Sequence, residues 1–237
     1  MNATEFSPGL VIQGFTAPLK LSDFKLIAFD MDSTLINIEC VDEIADAAGR
    51  KAEVAAITEA AMRGEITDYK DSLRRRVTLL KGVTVGHMEE VLNQRLKLNP
   101  GAADLVAACQ AVGMVTLLVS GGFSFFTDRV RDLLRIDATR SNILEIDEAG
   151  RLTGQMVNQH WGDICDGEEK RRCLIQTCAA NNIHPRHAIA MGDGANDLPM
   201  MGVAGLSVAY HAKPKVREQA MVAINSGGLD RLLEVLK

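Results

Sequence analysis

The chain has 237 residues, of which 47% are hydrophobic and 24% are charged, enough for one large domain or one domain with an insertion. A formal net charge of −5 gives no reason to expect nucleic acid or an anionic membrane as a partner. The five cysteines include no C-x-x-C pair, and the sequence has neither a signal-peptide pattern nor an apolar run near the roughly 18–20 residues of a membrane span. We therefore expect a reduced, cytoplasmic protein.

The secondary-structure pattern begins with turn-forming prolines and glycines around one short apolar run, LVIQGF, so residues 1–24 are expected to form an N-terminal arm or a single edge strand. From residue 25 onward, strands and helices alternate. Four strand candidates, KLIAFD, MVTLLVS, HAIAMGD and GLSVAYH, are apolar almost throughout, as in parallel strands covered on both faces. A later stretch, LEIDEAGRLTGQMV, alternates polar and apolar residues and predicts a hairpin. The pattern indicates an α/β fold with a doubly wound, Rossmann-like parallel sheet.

A long segment separates the first two core strands, far more than one crossover helix needs. Its helical periodicity predicts an inserted helical cap over residues 38–97, with the core assigned to residues 25–37 and 98–237. The cap is expected over the carboxyl ends of the strands, where open α/β sheets bind ligands. Two helix faces carry this pattern, one with Val41, Ile44, Ala45 and Ala48 and another with Leu73, Val77 and Leu80.

Two carboxylates follow the first core strand, Asp30 and Asp32. Side chains two residues apart in an extended chain point to the same face. Each carboxylate therefore raises the cost of ionising the other unless a cation lies between them. The arrangement predicts a metal site or acid–base chemistry.

Polar or small residues end three of the core strands, and the ends of parallel strands meet at one sheet edge. Taken singly, an aspartate at a strand end is often a helix N-cap and a Gly-Gly pair is often only a turn. Together, the carboxylates, hydroxyl and glycine backbone suit Mg²⁺, which binds few protein carboxylates and keeps places for phosphate oxygens and water. The three ends are Asp30-x-Asp32-Ser-Thr34, Ser120-Gly121-Gly122 and Gly192-Asp193-Gly-Ala-Asn196-Asp197.

Four short motifs resemble those of the haloacid dehalogenase (HAD) superfamily of phosphatases: DMDSTL the first, VSGG the second, Lys170 the third and GDGAND the fourth. The resemblance runs from about residue 25 to the C-terminus and implies the HAD-type core with a cap after its first strand. Further stretches, IECVDEIA, SLRRRV, VSGGF and AYHAKPKV, are similar to the branch of the superfamily that hydrolyses phosphoserine.

The resemblance implies a covalent mechanism. Asp30 is expected to attack phosphorus and form an aspartyl-phosphate, and Asp32 to protonate the leaving oxygen and later deprotonate the hydrolytic water. Mg²⁺ is expected on the Asp30 carboxylate, the Asp32 backbone carbonyl and Asp193, because a carboxylate that attacks a phosphate dianion faces charge repulsion.

The resemblance also assigns phosphate-binding groups. Ser120, the Gly121 amide and Lys170 are expected to stabilise the transferred phosphate, and Asn196 to contact substrate. The local pattern alone favours a solvent-exposed helix face for Lys170, since it lies in the charged run EEKRR. Thr34 and Asp197 are assigned to the surrounding shell, with Asp197 supporting Lys170 or a metal-bound water.

Substrate selection is expected to depend on the cap. On a helical wheel, Arg75 points away from the apolar face, Arg74 lies at its edge and Arg76 falls within it. A guanidinium there needs a buried anion, either a substrate carboxylate or an acidic residue of the cap. The resemblance implies that Arg76 binds the carboxylate and Glu39 the ammonium of phosphoserine. Met62, Phe123 and Tyr69 are expected to form either an apolar wall of the substrate pocket or part of the ordinary hydrophobic core.

Taken together, the residues and the resemblance imply a Mg²⁺-dependent hydrolase that converts O-phosphoserine to serine and phosphate, the last step of serine biosynthesis. One alternative keeps the same chemistry on another small phosphomonoester, as a phosphatase or a phosphotransferase. Another is a phosphate-binding protein without activity, although neither the nucleophile nor the acid is missing. The expected partner is a small molecule rather than nucleic acid or membrane, and the sequence leaves monomer and homodimer open.

Overall fold

The computed structural model describes residues 3–62 and 65–237, and the side chains of all of these except residues 61 and 62. Eight strands form one sheet in the order β1-β2-β10-β9-β8-β3-β4-β5. The strands from β10 to β5 run parallel, whereas β1 and β2 are antiparallel. Strands β6 and β7 form a separate hairpin. The strands are β1 (Thr4–Ser7), β2 (Leu10–Ile12), β3 (Leu26–Phe29), β4 (Val115–Phe123), β5 (Ala138–Asn142), β6 (Leu144–Ile146), β7 (Leu152–Met156), β8 (Ala188–Gly192), β9 (Leu206–Tyr210) and β10 (Val222–Ile224).

Helices cover both faces of the sheet, which confirms the predicted doubly wound fold. Along β3, Leu26 and Ala28 pack into one apolar cluster while Ile27 and Phe29 pack into the other. Every residue of β3, β8 and β9 is buried, as near-continuous apolar strands require. One face is covered by α5 (Ala102–Ala111) and α6 (Ser124–Leu134), and the other by α7 (Gly167–Ala180), α8 (Leu198–Met201) and α9 (Pro214–Gln219).

The N-terminal segment differs from the expectation of an arm or a single edge strand, because it forms two strands, β1 and β2. The chain reverses at Gly9, whose φ of 76° lies in the left-handed region that favours glycine. Strand β2 then pairs antiparallel with β10. The hairpin thus extends the edge of the core sheet, since the buried Leu10 joins the main apolar cluster.

The segment predicted to form the cap, residues 38–97, contains the α-helices α1 (Cys40–Ala47), α2 (Lys51–Met62), α3 (Tyr69–Thr78) and α4 (Val85–Glu90). Asp68 caps α3 by accepting a hydrogen bond from the Lys70 amide. The predicted apolar positions Ile44, Leu73 and Val77 are buried. Within the described residues, no helix is long and apolar enough to cross a membrane.

The β6–β7 hairpin lies against the cap segment. The Gly82 amide donates to the Leu152 carbonyl at 2.7 Å, and the Leu152 amide donates to the Val83 carbonyl at 2.8 Å. A third backbone bond joins the Val85 amide to the Gly150 carbonyl at 3.0 Å. The helical segment is therefore tied to the rest of the chain by backbone hydrogen bonds as well as by its two covalent connections.

Candidate active site

The carboxyl ends of three neighbouring strands open into one cavity of about 960 Å³. Phe29 on β3 lies opposite Leu118 on β4 and Met191 on β8, so the residues that follow these positions lie at the same level of the sheet. Eight of the predicted catalytic, substrate-binding and metal-binding residues line this cavity, whereas Thr34, Lys170 and Asp197 are buried and do not line it. The eight are Asp30, Asp32, Glu39, Arg76, Ser120, Gly121, Asp193 and Asn196.

The loop after β3 turns sharply at Ser33, which has a positive φ of 57° although it is not glycine. The Ser33 amide donates to the Ile38 carbonyl at 3.2 Å, and its hydroxyl donates to Glu39 Oε1 at 2.6 Å. These bonds stabilise a backbone conformation that is otherwise unfavourable by about 1–3 kcal/mol. No sequence pattern assigned a role to Ser33, but its hydroxyl fixes the position of the Glu39 carboxylate at the cavity wall.

Lys170 lies at the centre of the site and is fully buried. Its Nζ is 2.6 Å from Asp30 Oδ1 and 2.6 Å from Asp197 Oδ1. Burial alone would lower the pKa of Lys170, but the charges of Asp197 and Asp30 outweigh it and hold that pKa well above its ordinary value. The solvent-exposed face that the local pattern favoured is therefore wrong for Lys170, although its neighbour Arg171 is exposed, with 42% of its side chain accessible.

Three carboxylates lie close together at this end of the sheet, and two of them contact the Lys170 ammonium. Ligand oxygens of Asp30, Asp193 and Asp197 all lie within 4.8 Å of one another. Burial and the charge of Asp197 raise the pKa of Asp30 well above its ordinary value, and the same two causes raise the pKa of Asp193 to about 7. Among the residues that the structure describes, Lys170 is the one cation within 4.0 Å of Asp30 or Asp197. The ionised carboxylates would therefore repel one another, and a divalent cation has the charge that balances them.

The three carboxylates differ in their hydrogen-bond partners. Asp197 Oδ1 accepts from Lys170, and its Oδ2 accepts from the Gly194 amide at 3.0 Å. Within the part of the chain that the structure describes, no hydrogen bond engages Asp30 Oδ2 or the carboxylate of Asp193. The acidic oxygens left for a divalent metal are therefore on Asp30 and Asp193, and a metal fits this donor set.

Asp32 lines the cavity together with Glu39. Burial and the charge of Glu39 raise the pKa of Asp32 to about 7, although the thiol and amide of Cys40 partly oppose the rise. Its Oδ1 atom is buried without a hydrogen-bond partner in the described residues. A carboxyl group with a pKa near neutrality can both give and take a proton, as a general acid–base requires.

The glycine pair after β4 presents a hydroxyl and backbone amides to the cavity. The Gly122 amide donates to Ser120 Oγ at 2.8 Å, which leaves the Ser120 hydroxyl proton free to donate elsewhere. A side chain at Gly121 would place its Cβ only 2.0 Å from the Tyr69 hydroxyl. Glycine is therefore required where the α3 tyrosine packs over the strand end.

The three successive arginines of α3 have different surroundings. Arg75 pairs with Asp71 at 2.8 Å and is exposed, and Arg74 pairs with Asp163. Within residues 3–62 and 65–237, no carboxylate lies within 4.0 Å of the Arg76 guanidinium, and its Nε is buried without an acceptor. The acidic ion-pair partner that the sequence left open for Arg76 is thus absent from the described residues.

Two further residues were missed by the sequence analysis. The Asn99 side chain donates to the carbonyls of Thr34 and Ile36 at 2.8 and 2.9 Å and stabilises the loop after β3. The Asn142 side chain donates to the Gly121 carbonyl at 2.7 Å. Asparagine carries no local signal for such contacts, since each partner lies more than twenty residues away.

Of the predicted apolar wall, Tyr69 and Phe123 line the cavity, and the side chain of Met62 lies outside the described residues.

The family model for haloacid dehalogenase-like hydrolases matches residues 27–202, most of the chain. A phosphoserine phosphatase of Polaromonas sp. (strain JS666 / ATCC BAA-500) is 76% identical over 237 residues, which cover 100% of both chains. The chain belongs to the haloacid dehalogenase-like hydrolases, within the phosphoserine phosphatase family. This confirms the resemblance seen in the sequence motifs.

Solved structures of the phosphoserine phosphatase family have the same fold. One is a phospho-aspartyl intermediate analogue of phosphoserine phosphatase, with a TM-score of 0.82 and 36% identity, covering 90% of this chain and 99% of that one. Another is a substrate-bound phosphoserine phosphatase complex, with a TM-score of 0.82 and 35% identity over 90% and 99% of the two chains.

The burial of Lys170 leads to a test of stability. Lys170→Met should lower the free energy of unfolding by about 3–5 kcal/mol, because it leaves two buried carboxylates without their shared donor. Urea denaturation at neutral pH, without added divalent metal, measures the change. Arg171→Met is the matched control, since it removes an exposed ion pair and should change stability by less than about 1 kcal/mol. Equal losses of unfolding free energy in Lys170→Met and Arg171→Met would contradict the conclusion that the buried Lys170 ammonium stabilises the site.

Proposed function

We propose that this enzyme hydrolyses O-phosphoserine to serine and phosphate with Mg²⁺, through a phosphorylated Asp30. The observation that carries the proposal is one cavity lined by Asp30, which is paired with the buried Lys170, by Glu39 and by Arg76, whose guanidinium has no ion-pair partner among the described residues. The Asp30–Lys170 pair suits phosphoryl transfer. Arg76 and Glu39 suit the carboxylate and the ammonium of an amino acid, respectively.

In the proposed reaction, Asp30 attacks phosphorus and the serine oxygen leaves. Lys170 orients the Asp30 carboxylate through the 2.6 Å contact with Oδ1, and its charge offsets the negative charge of the phosphate. The free hydroxyl proton of Ser120 and the Gly121 amide are assigned as donors to the phosphate oxygens. Asn196, which also lines the cavity, is assigned to substrate contact.

Asp32 is assigned the proton transfers. It would protonate the departing serine oxygen and then take a proton from the water that hydrolyses the intermediate. The pKa of about 7 supports both directions at neutral pH.

Mg²⁺ would be held by the Asp30 and Asp193 carboxylates and the Asp32 backbone carbonyl. When bound, the metal supplies positive charge that offsets repulsion between the phosphate dianion and the attacking carboxylate. Asp197, with both oxygens already engaged, is assigned to positioning Lys170. Thr34 is assigned to the shell around these groups.

The nucleophile is tested by substitution. Asp30→Asn should abolish phosphate release from phosphoserine, because an amide is not a nucleophile of this kind. Brief incubation of the wild-type enzyme with substrate should trap acid-stable, hydroxylamine-labile phosphate on Asp30. The exposed Asp104→Asn is the control and should retain activity. Label on Ser33 or Ser120 would contradict the mechanism.

Metal binding is tested through stability, without activity. Mg²⁺ at a hundredfold excess over its Kd should stabilise the wild-type enzyme by about 2.7 kcal/mol, a rise in Tm of about 5–10 °C. Asp193→Asn should lose most of this rise, whereas Asp104→Asn should keep it. Differential scanning fluorimetry at constant ionic strength measures both. An undiminished rise in Asp193→Asn would remove Asp193 from the proposed metal site.

Substrate selection is tested by comparing two substrates. Arg76→Ala should cost about 2–4 kcal/mol in kcat/KM for phosphoserine, the range for losing a buried charge-assisted pair. An aryl phosphate, which lacks the carboxylate, should lose little. Arg75→Ala should leave both nearly unchanged, since that side chain is exposed. Equal losses on both substrates would leave the enzyme as a phosphatase of this superfamily for another small phosphomonoester.

A further inference from the structure

The phosphate-binding end of β4 lies outside the regular ladder of the sheet. Val119 of β4 is opposite Arg140 of β5, but the next pair is Phe123 with Asn142. Four steps along β4 thus match two along β5, so residues 120–122 form a bulge. Bulges next to active sites redirect side chains, and this one turns Ser120 and the glycine amides toward the cavity.

A bulge also removes backbone partners, and a buried carbonyl without one is costly. At Gly121 the missing partner is replaced by a side chain, since Asn142 Nδ2 donates to the Gly121 carbonyl at 2.7 Å. Asn142 is 0% exposed. The other end of the same amide is also engaged, because Asn142 Oδ1 accepts from the Cys165 amide at 2.8 Å.

The second contact leads to the other half of the phosphate site. Cys165 precedes Asp166, the N-cap residue of α7, whose side chain accepts from the Glu169 amide at 2.9 Å. Lys170 follows in the first turns of the helix, and its amide donates to the Asp166 carbonyl at 2.9 Å. One planar amide therefore spans the gap between the strand that carries Ser120 and the helix that carries Lys170.

We infer that Asn142 is a positioning residue of the phosphate site, which holds the Ser120–Gly122 bulge and the start of α7 at a fixed separation. The inference rests on the proposed function only in that Ser120, Gly121 and Lys170 act on the phosphate. Asn142 lies behind the bulge and does not line the cavity. Its loss shifts the groups that contact phosphate, and a misplacement of about 1 Å can cost about 100-fold in rate.

A purely structural role for Asn142 would give a different result. The neighbouring Ser141 makes a comparable buried hydrogen bond, between its Oγ and Thr127 Oγ1 at 2.8 Å, without touching the bulge or α7 through its side chain. Ser141→Ala is therefore the matched control for the loss of one buried side-chain contact on β5. Both this variant and Asn142→Ala should lower Tm by a few degrees.

The test measures kcat and KM for phosphoserine and for p-nitrophenyl phosphate, well below the Tm of each variant. Asn142→Ala should reduce kcat about 10- to 100-fold on both substrates by similar factors, with KM changed less than about threefold. Ser141→Ala should stay within about twofold of the wild-type enzyme. If Asn142→Ala does not fold, Asn142→Asp replaces it, since it keeps the volume and the acceptor for Cys165 and removes the donor to Gly121.

The outcomes are distinct. A folded Asn142 variant with kcat within twofold of wild type overturns the inference, as does a matching loss in Ser141→Ala. A loss confined to phosphoserine also overturns it, because the phosphate site serves both substrates. Failure of the wild-type enzyme to act on phosphoserine, with activity on the aryl phosphate retained, counts against the proposed function and leaves the Asn142 test intact on that second substrate.

Discussion

The ammonium of Lys170, buried between Asp30 and Asp197, is the interaction on which the rest of the site depends. A charge that is fully removed from water needs partners of opposite charge at close range. Here the partners come from the ends of two adjacent strands, and the ammonium comes from a helix on one face of the sheet. The fold therefore has to bring three distant segments together within hydrogen-bond distance.

The segment over the cavity is tied to this centre through one helix, α3. Tyr69 at its start packs over Gly121, and Arg76 lies two turns further along the cavity wall. Lys70 pairs with Asp163 at 2.8 Å, just before the helix that carries Lys170. These contacts, with the backbone bonds to the β6–β7 hairpin, place the proposed substrate-selecting groups against the phosphoryl-transfer groups. The exposed ion pairs contribute little energy singly, so their effect is on orientation.

Most of the fold was predictable because the core strands are apolar almost throughout. Such strands are stable only when both faces are covered, which indicates a parallel sheet between helices. The N-terminal segment was predicted less well. Its short apolar run matched either an arm or one strand, and the pairing of Leu10–Ile12 with Val222–Ile224 joins segments some two hundred residues apart. No local pattern encodes such a pairing.

The strand ends that carry carboxylates, a hydroxyl and glycines were readable from the sequence, because side-chain periodicity and strand burial are local properties. The contacts that hold these groups in place became visible only in the folded chain. The charged run around Lys170 resembled an exposed face until its two carboxylate partners, from other elements, were in place. The positioning roles of the Ser33 and Asn142 side chains likewise depend on hydrogen bonds whose energy is set by burial and by donor–acceptor distance. Those quantities exist only once the chain has folded.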